Sequence, residues 1–245
     1  MLNILITGHK GMIGSRLYNY LDYLKLYNLT GIDIIDNSGD IRTISHPDKK
    51  FDIIIHCAAL TSVTESIKNP DAYYDTNVLG TSNLLLNFPD SKVIFMSSSA
   101  IYGEGVNHKE SDSFNPASPY AQNKIDGEFL IKTFISDYVI LRLSNIYGGT
   151  KKDKGVYQIF EESDIIPIFG DGNASRDYLH VNELCKIIHR SFNKQGIFNI
   201  GSGNIKTVLD IAKEYNKPIK FLPSREGEIN TISLDLTKAK REGLL

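Results

Sequence analysis

The sequence predicts an α/β fold, a doubly wound parallel sheet carrying a smaller C-terminal lobe. Three observations predict it. Short, β-rich apolar runs recur at residues 4–7, 29–34, 52–56, 92–97 and 138–143, and continuous rather than alternating apolarity is the mark of strands buried on both faces. Helix-like stretches at 11–27, 72–87 and 119–134 separate most of these runs, the strand–helix alternation of a parallel sheet. After Tyr147 the texture changes to glycine, lysine and proline punctuation, which predicts a second, smaller unit.

In chain order, the first strand runs directly into Gly8-His9-Lys10-Gly11-Met12-Ile13-Gly14 and then a helix. Glycine allows a tight turn and lets the backbone approach a pyrophosphate, whose charge then faces the free amides at the helix start. Gly8, Gly11, Met12, Ile13 and Gly14 are therefore the expected dinucleotide loop of a Rossmann-like domain. The second strand leads to Asp33, an acid placed where a ribose diol is hydrogen-bonded in such folds. A carboxylate there would repel the extra phosphate of NADP, so NAD is the expected cofactor, with Asp36 a competitor for the ribose. Residues 37–50 leave little room for a helix between the second and third strands.

The fourth run ends in Ser97-Ser98-Ser99-Ala100-Ile101-Tyr102-Gly103, at the carboxyl edge of the sheet where open α/β folds bind ligands. The following helix opens with Ser118-Pro119-Tyr120-Ala121-Gln122-Asn123-Lys124, and residues four apart share a helix face. A phenol titrates near ~10 and is a poor base at neutral pH. A nearby ammonium and an oxidised nicotinamide both favour phenolate; lowering it by about 3 units takes roughly 4 kcal/mol. Further along, strands at 165–169 and 196–200 and helices at 181–192 and 207–215 are expected. Residues 1–146 form the expected cofactor domain, residues 147–245 mainly the smaller substrate lobe, with the segment near 177–200 packing back onto the first domain.

Composition is ordinary for a globular protein, with 41% hydrophobic and 23% charged residues, and a net charge of -2 supplies no basic field for nucleic acid or an anionic membrane. Small-molecule partners are expected. Cys57 and Cys185 lack the spacing of a disulfide framework or a zinc site, and His56 and His180 sit beside apolar residues as structural side chains, so no metal is expected. The N-terminus lacks a basic lead and a long apolar core, and no stretch is long enough to span a membrane; a cytoplasmic protein is expected.

Taken together, the glycine loop and the later segments resemble the extended short-chain dehydrogenases/reductases, the sugar-nucleotide epimerase and dehydratase group, over nearly the whole chain. The resemblance implies roles residue by residue. Gly39-Asp40-Ile41-Arg42 resembles the segment that places Asp40 and Ile41 at the adenine, His56-Cys57-Ala58-Ala59-Leu60 the one that brings Cys57, Ala58 and Ala59 beside the cofactor, and Asn77-Val78-Leu79-Gly80-Thr81 another landmark of the cofactor site. Ser98 takes the place of the hydroxyl that orients the reacting sugar oxygen, Tyr120 that of the acid–base, and Lys124 that of the nicotinamide-ribose ligand. Asn145, Arg176 and Arg225 fall where the nucleotide-sugar diphosphate is bound.

Segments at Glu65-Ser66, Pro70, Tyr73-Tyr74 and 77–81 are similar to UDP-glucose 4-epimerases. This implies NAD-dependent C4 epimerisation of a UDP-sugar through a 4-keto intermediate, in a homodimer paired through the helices at 72–87 and 119–134. Dehydratases of the group carry aspartate and glutamate where this sequence has Ser99 and Ala100. A dehydratase or reductase activity, or a non-catalytic NAD-binding protein, remain the alternatives, the last favoured by a substrate side shorter than is usual in the group.

Overall fold

In chain order the elements are β1 (Leu2–Thr7), α1 (Met12–Leu24), β2 (Tyr27–Ile32), β3 (Ile53–His56), α2 (Val63–Lys68), α3 (Pro70–Tyr74), a π-helical turn (Asp75–Leu79), α4 (Gly80–Asn87), β4 (Lys92–Ser98), a 3₁₀ turn (Ser99–Tyr102), β5 (Gly105–His108), α5 (Pro119–Phe134), β6 (Tyr138–Leu143) and β7 (Asn145–Tyr147). There follow α6 (Val156–Glu162), β8 (Ile166–Phe169), β9 (Ser175–His180), α7 (Val181–Arg190), β10 (Gly196–Ile200), β11 (Ile205–Thr207), α8 (Val208–Glu214), β12 (Ile219–Leu222), β13 (Thr231–Leu234) and α9 (Thr237–Arg241). These come from a computed structural model, which describes residues 1–45, 49–149, 155–224 and 229–245.

The large sheet has the order β10-β6-β4-β3-β1-β2, and every pairing in it is parallel. Successive residues of a strand face opposite sides. Ile4, Ile6, Ile53, Ile55, Ile94 and Met96 accordingly pack toward α1 and α7, and Leu5, Ile54, Val93, Phe95 and Ile140 toward α4 and α5. Covering on both faces is why these strands read as unbroken apolar runs. The chain leaves β1 toward β2 on one side and then crosses to β3 on the other, so the topological switch point lies between the carboxyl ends of β1 and β3, where such sheets bind ligands.

Three boundaries differ from the sequence expectation. Helix α1 stops at Leu24 because Lys25 adopts φ 54, a left-handed cap whose N–H bonds the Asp22 carbonyl, and β2 then starts at Tyr27. As an edge strand it carries polar Asn28 and Thr30, which disguise its first turn of chain. The helix expected over 72–87 is interrupted by the π-helical turn at Asp75–Leu79. Helix α5 spans the expected residues; Ser118 Oγ accepts from the Ala121 N–H and Pro119 occupies the first turn, where no N–H is needed.

A second sheet, β11-β9-β13-β5 with β7 beside β9, forms the smaller lobe together with the β12–β8 pair and a core of Phe160, Ile166, Ile168, Tyr178 and Ile211. The two units exchange strands. β5 leaves the first half of the chain to pair with β13, while β10 returns from the second half to pair with β6.

Candidate active site

At the switch point the glycine loop is shaped by contacts that exclude side chains. Gly8 has φ +70, and a Cβ on it would lie 2.7 Å from the Ala58 backbone; on Gly14 it would lie 2.1 Å from the Gly8 carbonyl oxygen. Helix α1 begins at Met12 with no side-chain cap and no acid in its first turn. The opening amides of Met12, Ile13 and Gly14 thus have neither an intrahelical acceptor nor a neutralising carboxylate. That fits a pyrophosphate.

Asp33 is buried at the end of β2, its carboxylate accepting from the Lys10 N–H at 2.9 Å and the Ile35 N–H at 2.9 Å, which ties the residue expected at the ribose to the glycine loop. Asp36, its rival, is engaged by His9 Nε2 at 3.1 Å and Lys10 Nζ at 3.2 Å, and its hydrogen bonds to Ser38 hold its carboxyl well below the usual range. Asp40 is gripped by Arg42 at 2.6 Å. The Ile41 side chain is buried in the core, under Gly80. Asn77 spends its amide on Leu60, donating to its carbonyl at 2.9 Å and accepting from its N–H at 2.8 Å. It fixes the course of the 57–60 segment.

His56 is buried beneath that segment. Thr81 gives its proton to the Asn77 carbonyl, so it accepts from His56 Nε2–H at 2.9 Å, and His56 Nδ1 accepts from Thr7 at 2.7 Å. Burial pushes the imidazole down to about 3: it is a neutral structural histidine.

A cleft of about 490 Å³ opens beside the loop, and Met12, Ile13, Cys57, Ala59, Ser98, Tyr120, Lys124, Asn145 and Arg176 all line it. Strand β4 delivers Ser98 at its last residue, where the hydroxyl accepts from the Ala100 N–H at 3.2 Å. Helix α5 delivers Tyr120 and Lys124. Burial raises the Tyr120 phenol, and its hydrogen bond with Ser98 pulls it back down. The Lys124 ammonium is buried and donates to the Met96 carbonyl at 2.8 Å, 5.8 Å from the centroid of the Tyr120 ring, and burial lowers it to about 8. Lys124 is thus bound to main chain, and its protein surroundings raise the phenol rather than lower it.

Arg176, on β9, donates to the Ser175 and Asn230 carbonyls at 2.8 and 3.0 Å and to that of Ile229. With Asn145 it lies on both this cleft and a second of about 400 Å³ lined by Tyr147, Phe160 and Tyr178. Arg225 lies outside the described residues. Sequence reasoning missed Ser66, whose hydroxyl accepts from the Tyr120 N–H at 3.2 Å, and the buried pair Glu128 and Arg142 at 2.7 Å. The pair had a signal. Arg142 is a charge inside an apolar strand, and Glu128 continues the i, i+4 stripe of Tyr120 and Lys124.

Comparison with known proteins gives the same frame. Residues 4–201 match the NAD dependent epimerase/dehydratase family. The chain belongs to this family. NAD is therefore its cofactor, and it is an enzyme of a class acting on nucleotide sugars. It is 30% identical to UDP-glucose 4-epimerase of Halalkalibacterium halodurans, over 97% of this chain and 88% of the relative. It is 27% identical to dTDP-D-glucose 4,6-dehydratase of Dictyostelium discoideum, over 86% of this chain and 61% of that protein. Among solved structures, UDP-glucuronic acid 4-epimerase of Bacillus cereus in complex with UDP-glucuronic acid and NAD superposes with a TM-score of 0.89 at 27% identity, covering 98% of this chain and 92% of that one. The expected fold class is that of the family, and no helix among the described residues is long and apolar enough to cross a membrane.

Proposed function

We propose that the protein interconverts the C4 epimers of a UDP-sugar, using NAD that is regenerated within each cycle, and works as a homodimer. One observation carries the choice of reaction: among the described residues, the cleft that holds Ser98, Tyr120 and Lys124 is lined by no carboxylate, and Ser99 and Ala100 stand directly after Ser98. Loss of water from C5 and C6 needs a group that takes the C5 proton and one that protonates the departing hydroxyl. A serine hydroxyl and a methyl group supply neither. Epimerisation needs only one acid–base group, used twice.

Bound NAD supplies a hydride acceptor and, when oxidised, a cationic ring. The protein's own groups do the rest. Ser98 holds the sugar O4 by hydrogen bond and Tyr120 removes its proton. Lys124, the cation buried beneath the phenol, favours the phenolate once a second positive charge offsets the burial that raises Tyr120 in the free protein. The 4-keto sugar turns over in the cleft, and Tyr120 returns the proton to O4 on the other epimer. Arg176, its guanidinium oriented by three backbone carbonyls, holds the diphosphate at the junction of the two clefts.

Incubating the protein with UDP- and dTDP-sugars, without added reductant, and following the products by NMR tests this reading. The C4 epimer of a UDP-sugar is the expected product; a 4-keto-6-deoxy sugar would establish the dehydratase alternative.

A further inference from the structure

On the face of the large sheet that packs on α4 and α5, strands β4, β6 and β10 are apolar through Phe95, Ile140 and Ile197 and turn polar together one row from their carboxyl ends. Ser97 of β4 is the register partner of Arg142 on β6, and Arg142 that of Asn199 on β10. All three are at most 3% exposed. Helix α5 lowers Glu128 onto this row. Ser97 donates to its Oε1 at 2.6 Å, and Arg142 grips both oxygens, Nε on Oε1 at 2.9 Å and Nη2 on Oε2 at 2.7 Å.

The remaining donor edge of Arg142 reaches the Tyr102 hydroxyl at 2.7 Å and the Glu110 carbonyl at 2.9 Å. Tyr102 passes its proton to Asn199 Oδ1 at 2.8 Å, and Asn199 Nδ2 donates to the carbonyl of His108, at the end of β5 in the smaller lobe's sheet, at 2.8 Å. The Glu110 carboxylate closes the circuit on the Asn199 N–H at 2.9 Å.

Four members adjoin or line the cleft, Ser97, Glu128, Arg142 and Glu110, and Ser97 itself is part of its lining. Ser97 precedes Ser98. Glu128 lies one turn beyond Lys124 on the stripe that also carries Tyr120. Arg142 stands two residues before Ser144, where the chain passes to the substrate lobe, and Glu110 belongs to the loop that leads into Tyr120. A buried ion pair is poor value for stability alone, because an apolar pair of similar volume packs as well without the desolvation cost. What it offers is direction, since a bidentate fork fixes both position and angle.

We infer that Glu128 and Arg142, with Ser97 and Asn199, form a positioning network that holds the Tyr120–Lys124 helix in register with Ser98 and ties both to the lobe that receives the nucleotide sugar. None of the four is a catalytic residue; they act through Ser98, Tyr120 and Lys124. The kinetic part of this inference rests on the epimerase reading above, the geometric part does not.

The test uses Ser97→Ala, which removes one hydroxyl, with Ser97→Thr as the conservative rescue. Hydrogen exchange of the α5 amides at 121–124 in cofactor-free protein is expected to quicken about tenfold in Ser97→Ala and to return in Ser97→Thr. The kcat of Ser97→Ala is expected to fall about tenfold or more, as displaced reacting groups do, while the KM for the nucleotide sugar and the affinity for NAD stay within about twofold. Unchanged exchange in Ser97→Ala overturns the inference. A wild-type protein that epimerises nothing defeats the proposed function instead, and the exchange measurement still decides the positioning role. The double variant Glu128→Met/Arg142→Met separates positioning from folding: recovery of the thermal midpoint with kcat still low supports the network, and recovery of both overturns it. If that variant does not fold, Ser97→Ala decides alone.

Discussion

Lys124 shows how a single residue joins stability to chemistry. Its ammonium is buried against the Met96 carbonyl and titrates at about 8 instead of 10.5, so below pH ~8 the folded state must hold a charge it would shed at higher pH. For a base lowered in the folded state, the deficit is present in full below the folded value and is relieved as pH rises from about 8 toward 10.5, because over that window the unfolded chain binds more protons. A shift of this size corresponds to a net cost of roughly 3 kcal/mol for holding the charge. Lys124→Met, which keeps the stem, is expected to raise the thermal midpoint at pH 7, with the gain over wild type shrinking toward pH 10, while turnover is lost. A midpoint below wild type at pH 7 would show that burial of the charge is not the cost described. Tyr120→Phe is the complementary change: turnover should fall about 10²-fold or more with NAD affinity retained, and near-normal turnover would make Tyr120 a structural side chain.

Among the elements, those whose local chemistry agrees with their packing were legible in the sequence. The start of α5 is encoded locally, since the Ser118 hydroxyl cap and the first-turn Pro119 need no tertiary help, and the strands of the large sheet were visible because both faces are covered. The π-helical turn at Asp75–Leu79 was not, since one extra residue in a turn leaves the apolar pattern nearly unchanged. The pairings of β5, β7, β9 and β13 join segments far apart in the chain, and no local pattern announces them. The Glu128–Arg142 pair was missed for a related reason: Arg142 stood out as a charge inside an apolar strand, but its partner lies on a different element and only the fold joins the two. Where loop and strand end are both legible, the prediction is sharp. Asp33 bonds the Lys10 amide of the glycine loop, so a ribose held by Asp33, as proposed for NAD, would be tied to that loop, and the carboxylate would repel an added phosphate. Asp33→Ala is expected to weaken NAD and to erase most of the preference over NADP; calorimetry with both dinucleotides checks it, and an unchanged ratio would pass the role to Asp36.

At the scale of the whole molecule, one exposed apolar surface among the described residues lies on two neighbouring helices. Helices α4 and α5 pack side by side on the sheet, and their outward sides carry Leu86 at 66% exposure and Phe129 at 65%, with Leu79 at 49% at the end of the adjoining π-helical turn. Leu79 and Leu86 are seven residues apart, two helical turns, which places them on the same side. Single exposed apolar residues are unremarkable, but several on neighbouring helices are characteristic of an interface. The homodimer proposed above uses this face, and a two-fold contact brings the same patch from each copy together. On α5, Tyr120, Lys124 and Glu128 face the cleft and the sheet, whereas Phe129 lies on the exposed side that the proposed homodimer would use. Light scattering after gel filtration is expected to give twice the mass of the 245-residue chain at micromolar concentration. Leu86→Glu combined with Phe129→Glu places four like charges across the two-fold contact and should yield monomers that still bind NAD, because neither residue lines the cleft. A wild-type monomer at those concentrations, or a double variant that stays dimeric, would remove this face from the assembly.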